Sequence, residues 1–285
     1  MRILSWNIQW GRGLDGRVDL ARIAEEARNF DADVYCFQEV AVNHPGLAGM
    51  PPGQLDQVAV LRGLFLGYEA AFGADSDLPD GLGGRRLFGN LILSRRPMLQ
   101  IFRHLLPWPA EAAVPSMQRI AVEAVIEAPE FPGGALRVIT THLEYYSASQ
   151  RAAQCAALRA IADTGWRHAV SPRSAADTDA PFAVLPRGEG CVICGDFNAP
   201  AGAPEQAALT ATHDAPAFVN AWSVVHGAVS PAPTFGVHER RYVAAPACYD
   251  IFFVSANIAE RVRGVEVDLG STASDHQPVV LRLAG

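Results

Sequence analysis

The chain has 285 residues, 49% of them hydrophobic, and a formal net charge of −7. That length is at the upper end for one domain and can bury a large core, and the composition excludes a disordered chain. The acidic balance argues against a surface that coats nucleic acid non-specifically, which needs a positive field, although a local basic patch is still allowed.

Residues 2–9 alternate like a strand. Val18, Leu20, Ile23, Ala24, Ala27 and Phe30 fall near helical spacing, and "DVYCFQEV" (33–40) is a compact apolar run, so the chain opens as strand–helix–strand. Residues 54–66 look helical, 75–84 ("DSDLPDGLGG") form a Gly/Asp/Pro loop, and 90–94 a strand. Two strands, 119–127 and 136–143, are joined by the hairpin connection "APEFPGGA". An amphipathic helix over 147–162 follows. Residues 166–190 are rich in Pro, Ser, Ala and Asp and read as a long mobile surface loop inside a single domain of residues 1–285, not as a linker. The last strands are "CVICGDF", 249–255, 261–269 and 278–283. Helices interspersed with hairpin-connected strands favour two mixed sheets packed face to face with helices outside, over a simple doubly wound parallel sheet.

All 23 basic residues are arginine. Schiff-base and phosphate-loop lysines are therefore excluded, and any cationic contact to phosphate comes from Arg, His, a metal or backbone N–H groups. The five cysteines mostly sit in apolar runs and read as small core residues. Cys191 and Cys194 have CxxC spacing, but on a strand they point to opposite faces and should share neither a metal nor a disulfide. There is no leader-like n-region and h-region and no run of 18 apolar residues, so a soluble, reducing, cytoplasmic setting is expected.

Polar groups recur where strands end. Asn7 closes "SWNIQWG", Glu39 closes "CFQEV", His142 closes "VITTHLEYY", and Asp196 and Asn198 close "VICGDFN". Asp250 begins "YDIFFVS", and Asp275-His276 precedes "QPVVLRL". A carboxylate beside buried residues is costly unless it is paired, hydrogen-bonded or metal-bound. Strand ends of packed sheets meet on one rim, so this recurrence points to one convergent site. Glu39, Asp275 and Asn7 are hard oxygen ligands suited to Mg²⁺ or Mn²⁺. Asp250 is the best orienting partner for His276, Asp196 suits an attacking water, and Asn198 can donate to a non-bridging oxygen.

With these residues in view, the chain resembles the endonuclease/exonuclease/phosphatase superfamily, whose fold is like that of pancreatic-type deoxyribonuclease. "WNIQWG", "FQEV", "GNLILSRRP", "TTHLEYYS", "GDFNAP", "YDIFFVS" and "SDHQPVV" match the family's motifs in order, from residue 5 to residue 281. The resemblance implies a four-layer α/β sandwich, with two mixed, mostly antiparallel sheets face to face and helices on both outer faces. It also implies divalent-metal-dependent cleavage of a phosphoester. By family pattern Glu39 is the principal metal ligand, with Asn7 and Asp275 close to the metal. Asp196 aligns or activates the water, and Asn198 and His142 contact the scissile phosphate. His276, paired with Asp250, stabilises the transition state or assists proton transfer. The pattern leaves open whether Asp196 or His276 is the base, and whether one or two metal ions bind.

Arg119 at a strand start, Asn90 in "FGNLILS" and Tyr145 after His142 are further substrate-binding candidates, each with a plain structural explanation beside it. Serine-hydrolase, zincin, P-loop and dinucleotide-binding motifs are absent. A phosphodiester or phosphomonoester of modest size is the expected substrate. DNA or RNA is the main alternative, and a non-catalytic binding module on the same fold the second. Neither a membrane span nor an obligate protein partner is implied.

Overall fold

The computed structural model describes residues 1–172 and 183–285. Twelve strands lie among them: β1 (Arg2–Asn7), β2 (Val34–Val42), β3 (Glu69–Pro79), β4 (Arg85–Ser94), β5 (Met98–Leu105), β6 (Ile120–Glu127), β7 (Ala135–His142), β8 (Gly190–Asp196), β9 (Phe218–Asn220), β10 (Asp250–Ser255), β11 (Val262–Val267) and β12 (Val279–Leu283). The α-helices are α1 (Leu20–Arg28), α2 (Gln57–Leu64), α3 (Ala148–Val170) and the short α4 (Ala207–Thr210) and α5 (Ala221–His226).

The strands form two six-stranded sheets, ordered β11-β12-β1-β2-β4-β3 and β5-β6-β7-β8-β10-β9. Each sheet has one parallel pair at its centre, β1 with β2 and β7 with β8, flanked by antiparallel pairs. Each parallel pair is joined by a helical crossover, α1 or α3, as parallel connections require.

Period-two alternation sorts the side chains into layers. Ile3, Cys36, Val138, Val192, Cys194, Phe252 and Leu281 face inward and meet in one core between the sheets. Leu4, Trp6, Tyr35 and Phe37 face outward onto α1 and α2, packing against Leu20, Ile23 and Leu61. Ile139, Cys191 and Ile193 face outward onto α3, against Cys155 and Leu158. The result is the expected four-layer sandwich, with helices on both outer faces. Cys191 and Cys194 lie in different layers and all five cysteines are free.

Two local expectations are corrected, and one strand is new. Residues 75–79 belong to β3, which passes a register irregularity between Ala74 and Ser76 before reaching the loop. The helix expected to stop at residue 162 runs to Val170, so the excursion read over 166–190 begins later, and β8 starts at Gly190; residues 173–182 of that expected loop lie outside the described residues. At Thr164-Gly165 the helix packs on the buried Arg137 guanidinium, which donates to the carbonyls of Ala162 and Ile161. A Cβ at residue 165 would stand 2.0 Å from Arg137 Cζ, so glycine is required there for packing, not for breaking the helix. Finally, the edge strand β5 carries exposed Ile101 and Leu105 and lacks the compact apolar signature that marks the inner strands.

Candidate active site

The inward parity continues to the ends of the strands, and there the side chains change from apolar to polar. On β1, Ile3 gives way to Ser5 and then Asn7; on β2, Cys36 to Gln38; on β7, Val138 to Thr140 and His142; on β8, Cys194 to Asp196. The register aligns these changes. Asn7 pairs with Gln38 across the parallel β1–β2 ladder, and His142 pairs with Asp196 across β7–β8. Asp196 pairs in turn with Asp250 on antiparallel β10. Residues opposite one another in a ladder share a face, so the second sheet presents His142, Asp196 and Asp250 side by side. The site therefore lies beyond the carboxyl ends of both parallel pairs, where open α/β sheets commonly hold ligands.

Two irregular residues aim the remaining groups. The β2–β4 register shifts between Phe37 and Val40, and Glu39 on this bulge has φ +60°. A bulge re-aims the side chain it carries, and a left-handed glutamate is strained enough to be uncommon away from functional positions. Asn198 has φ +48°, and its N–H donates to Asp196 Oδ1 at 2.8 Å in a tight turn. Its side chain donates to the Leu143 carbonyl at 2.8 Å, which ties the β8 turn to the end of β7.

Asp196 is the hub of the cluster. Its Oδ2 accepts a hydrogen bond from Asn7 Nδ2 at 3.0 Å, and the Nε2 atoms of His142 and His276 approach it at 3.5 Å each. Asn7 Nδ2 also reaches Glu39 Oε1 at 3.1 Å, and His142 Nδ1 lies 3.8 Å from that oxygen. His276 Nδ1 contacts Asp250 Oδ2 at 2.8 Å, a fully buried pair. The Phe235 ring stacks on the other side of the imidazole, centroids 4.5 Å apart. Asp275 Oδ2 accepts from Gln9 Nε2 at 2.7 Å. Trp6 Nε1 donates to the His276 carbonyl at 2.9 Å, locking the loop before β12 onto β1.

Electrostatics follow from this crowding. Burial and the nearby Asp275 push the Glu39 pKa up to about 7. Burial likewise raises Asp196 to about 6, partly opposed by His276 and reinforced by Asp250. Asp275 is raised by burial. Burial alone would suppress a charge on His276, but Asp250, Asp196 and Asp275 outweigh it and hold its pKa well above the ordinary imidazole value. His142 is held well below that value by burial and by the neighbouring Arg119 and His276 charges. The pit thus gathers the carboxyl groups of Glu39, Asp196, Asp250 and Asp275 around a single charged imidazole. Such an excess of buried carboxylate fits a bound cation. Asp196, Asp250 and His276 each offer a ligand atom within 4.8 Å of one another, a group that could hold a metal ion.

The other sequence candidates lie around this core. Arg119, buried at the start of β6, directs Nε at Glu144 Oε2 at 3.4 Å beside His142. Asn90 on β4 is buried, and its Nδ2 donates to the Ile120 carbonyl at 3.1 Å; it makes no hydrogen bond to the Asp196 network. Tyr145 is exposed at the rim, its hydroxyl donating to the Tyr242 carbonyl at 3.3 Å.

Gln9, Thr234 and Phe235 also build the site without having been candidates, and Gln38 entered only as part of the "FQEV" motif. Gln38 Nε2 donates to Thr140 Oγ1 at 2.8 Å across the sandwich, joining the two sheets directly beneath the site. Thr234 Oγ1 accepts from the N–H groups of Tyr249 and Asp250 at 3.0 Å each, holding the start of β10. Only Gln38 carried a usable signal, because its inward parity on β2 puts an amide where the preceding inward residue is Cys36.

A family model described as "Endonuclease/Exonuclease/phosphatase family" matches residues 4–276. Among solved structures, an endonuclease/exonuclease/phosphatase from Beutenbergia cavernae is 25% identical with a TM-score of 0.68, covering 100% of this chain and 72% of its own. A mannosyl-6-phosphatase from Bacteroides thetaiotaomicron has the same fold at 15% identity and TM-score 0.68, covering 100% of both chains. The human Nocturnin catalytic domain with a bound sulfate anion has it at 17% identity and TM-score 0.62, covering 100% of this chain and 94% of its own. No curated protein matches the chain. With motif order, sandwich and strand-end cluster all in agreement over nearly its whole length, the chain belongs to the endonuclease/exonuclease/phosphatase family, whose members are typically metal-dependent phosphoesterases.

Proposed function

We propose that this chain is a divalent-metal-dependent phosphoesterase that hydrolyses a phosphodiester or phosphomonoester by direct attack of water. The observation that carries this reading is the pit itself, in which Asp196 Oδ2 is approached by Asn7, His142 and His276 while Glu39 lies across from it. Glu39, with Asn7 and Asp275, would hold Mg²⁺ or Mn²⁺. Glu39 keeps 17% of its side chain open to solvent, and these donors are hard oxygens. His276, by contrast, already faces carboxylates with both ring nitrogens, which favours a hydrogen-bonding role over ligation. When bound, the cation supplies a Lewis acid for a phosphoryl oxygen.

The residues divide the remaining work. Asp196 orients the water and takes its proton as the new P–O bond forms and the bond to the leaving oxygen breaks. Asp250 keeps the His276 imidazole charged and oriented, so that its Nε2–H can donate to a non-bridging phosphoryl oxygen. Neutral His142 and the Asn198 amide hold the phosphate from the β7–β8 side. Arg119 adds positive charge behind them. No helix among the described residues is long and apolar enough to cross a membrane.

A substrate panel with and without chelator tests the reading: bis-p-nitrophenyl phosphate, plasmid DNA, RNA, inositol phosphates and sphingomyelin. Chelator-sensitive hydrolysis of one class is expected. Failure to turn over any of them with Mg²⁺ or Mn²⁺ would favour a binding module on the same fold.

A further inference from the structure

Beside the pit lies a groove of about 740 Å³, walled by the turn after β7 and the segment after β8. Asn198 belongs to both the groove and the Asp196 network, so the groove opens directly off the phosphate position. Tyr145, Tyr146 and Tyr249 line it. Tyr146 is 60% exposed, and the Tyr145 and Tyr146 rings meet edge to face with centroids 4.8 Å apart. An edge-to-face pair leaves a ring face open to a ligand. Tyr249 is braced from behind by Phe235, 5.5 Å away, the residue that also stacks on His276.

The charged part of the polar lining is already engaged. Arg151 is paired with Glu205 at 2.8 Å and donates to the carbonyls of Glu144 and Tyr145. The Asn198 amide is held by the Leu143 carbonyl. The charges of the groove cancel within it, so it offers no free cation for a second phosphate. Open aromatic faces are what it presents to a ligand.

We infer that this groove binds a flat, uncharged aromatic group carried by the phosphate, namely the base of a nucleotide-type ester, by stacking on Tyr146 and its neighbours without discriminating between bases. The inference rests on the phosphoesterase reading for its orientation, because the phosphate end of the ligand must lie at Asn198. Stacking of this kind tolerates any base, since every base has a π face.

Calorimetric titration of the 285-residue chain with adenosine and with ribose tests the groove without requiring turnover. Adenosine should bind at least about tenfold more tightly than ribose, the scale of one base–aromatic stack. Tyr146→Ala should remove most of that difference, and Tyr146→Phe should retain it. Equal binding of the two probes, no measurable adenosine binding, or a Tyr146→Ala protein that binds adenosine like the parent overturns the inference. In parallel, thymidine 5′-(p-nitrophenyl phosphate) should exceed methyl p-nitrophenyl phosphate by about tenfold in kcat/KM, the same stacking contribution. If neither ester is hydrolysed but adenosine binds through Tyr146, the phosphoesterase reading fails while the groove assignment stands.

Discussion

Gly195→Ala is the sharpest perturbation of the site that touches none of its functional groups. Gly195 has φ +136°, and a Cβ built on it would lie 1.8 Å from the Thr141 carbonyl oxygen on the neighbouring strand. Real Cβ contacts stay at or above 3.0 Å, so the β7 and β8 backbones would have to part by about 1.2 Å at the row next to His142 and Asp196. The forced φ costs about 1–3 kcal/mol. Stretching one or two ladder hydrogen bonds adds about 1 kcal/mol each. Together these predict a loss of about 2–5 kcal/mol and a Tm lower by about 3–8 °C for a chain of this size. Because the separation falls at the His142–Asp196 pair, activity of the still-folded protein should drop about 10²-fold, the usual consequence of misplacing reacting groups by about 1 Å. Thermal denaturation and hydrolysis of bis-p-nitrophenyl phosphate below the new Tm measure the two effects. A variant with unchanged Tm and rate would refute the claim that close β7–β8 approach sets the site.

Glu39→Gln should abolish metal-dependent hydrolysis while leaving circular dichroism unchanged, and the rise in Tm that Mg²⁺ gives the parent should disappear; a retained metal-induced shift would remove Glu39 from the ligand set. Asp250→Asn should cut kcat about 10²-fold or more, because His276 loses the carboxylate that keeps it charged and oriented; a normal rate would remove the pair from the mechanism. Glu123, buried between β5 and β7, offers a pH test away from the site. Burial alone would raise its pKa, but His104, Arg137 and Arg187 bring it down to about 2 from an ordinary 4.5. Its folded pKa is thus depressed, so its contribution is complete above pH 4.5 and is lost as pH falls towards 2. Urea denaturation should show the parent about 3 kcal/mol more stable than Glu123→Gln near pH 7, with the gap closing by pH 2; a gap independent of pH would contradict the assignment.

Much of this protein is written locally. Alternation over Ile3–Asn7 and Val192–Asp196 already says which side chains share a face, and the abrupt change from apolar to acidic at Asp196 says that the face ends in a pocket. These are properties of a few consecutive residues, so the strand-end set and the sandwich were legible before any coordinates. What depends on residues distant in sequence was not. Gln38 touches Thr140 only because two sheets pack at one particular register, and Glu39 points into the pit only because β2 bulges against β4. Gly165 in helix α3 reads locally as a helix stop, but it makes room for the Arg137 guanidinium brought in from β7. The tyrosine groove arises where the turn after β7 meets the segment after β8, with Tyr249 brought in from the start of β10. Periodicity assigns a residue to a face, but packing between separate segments decides which faces meet, and so which oxygen of Asp196 the two imidazoles share.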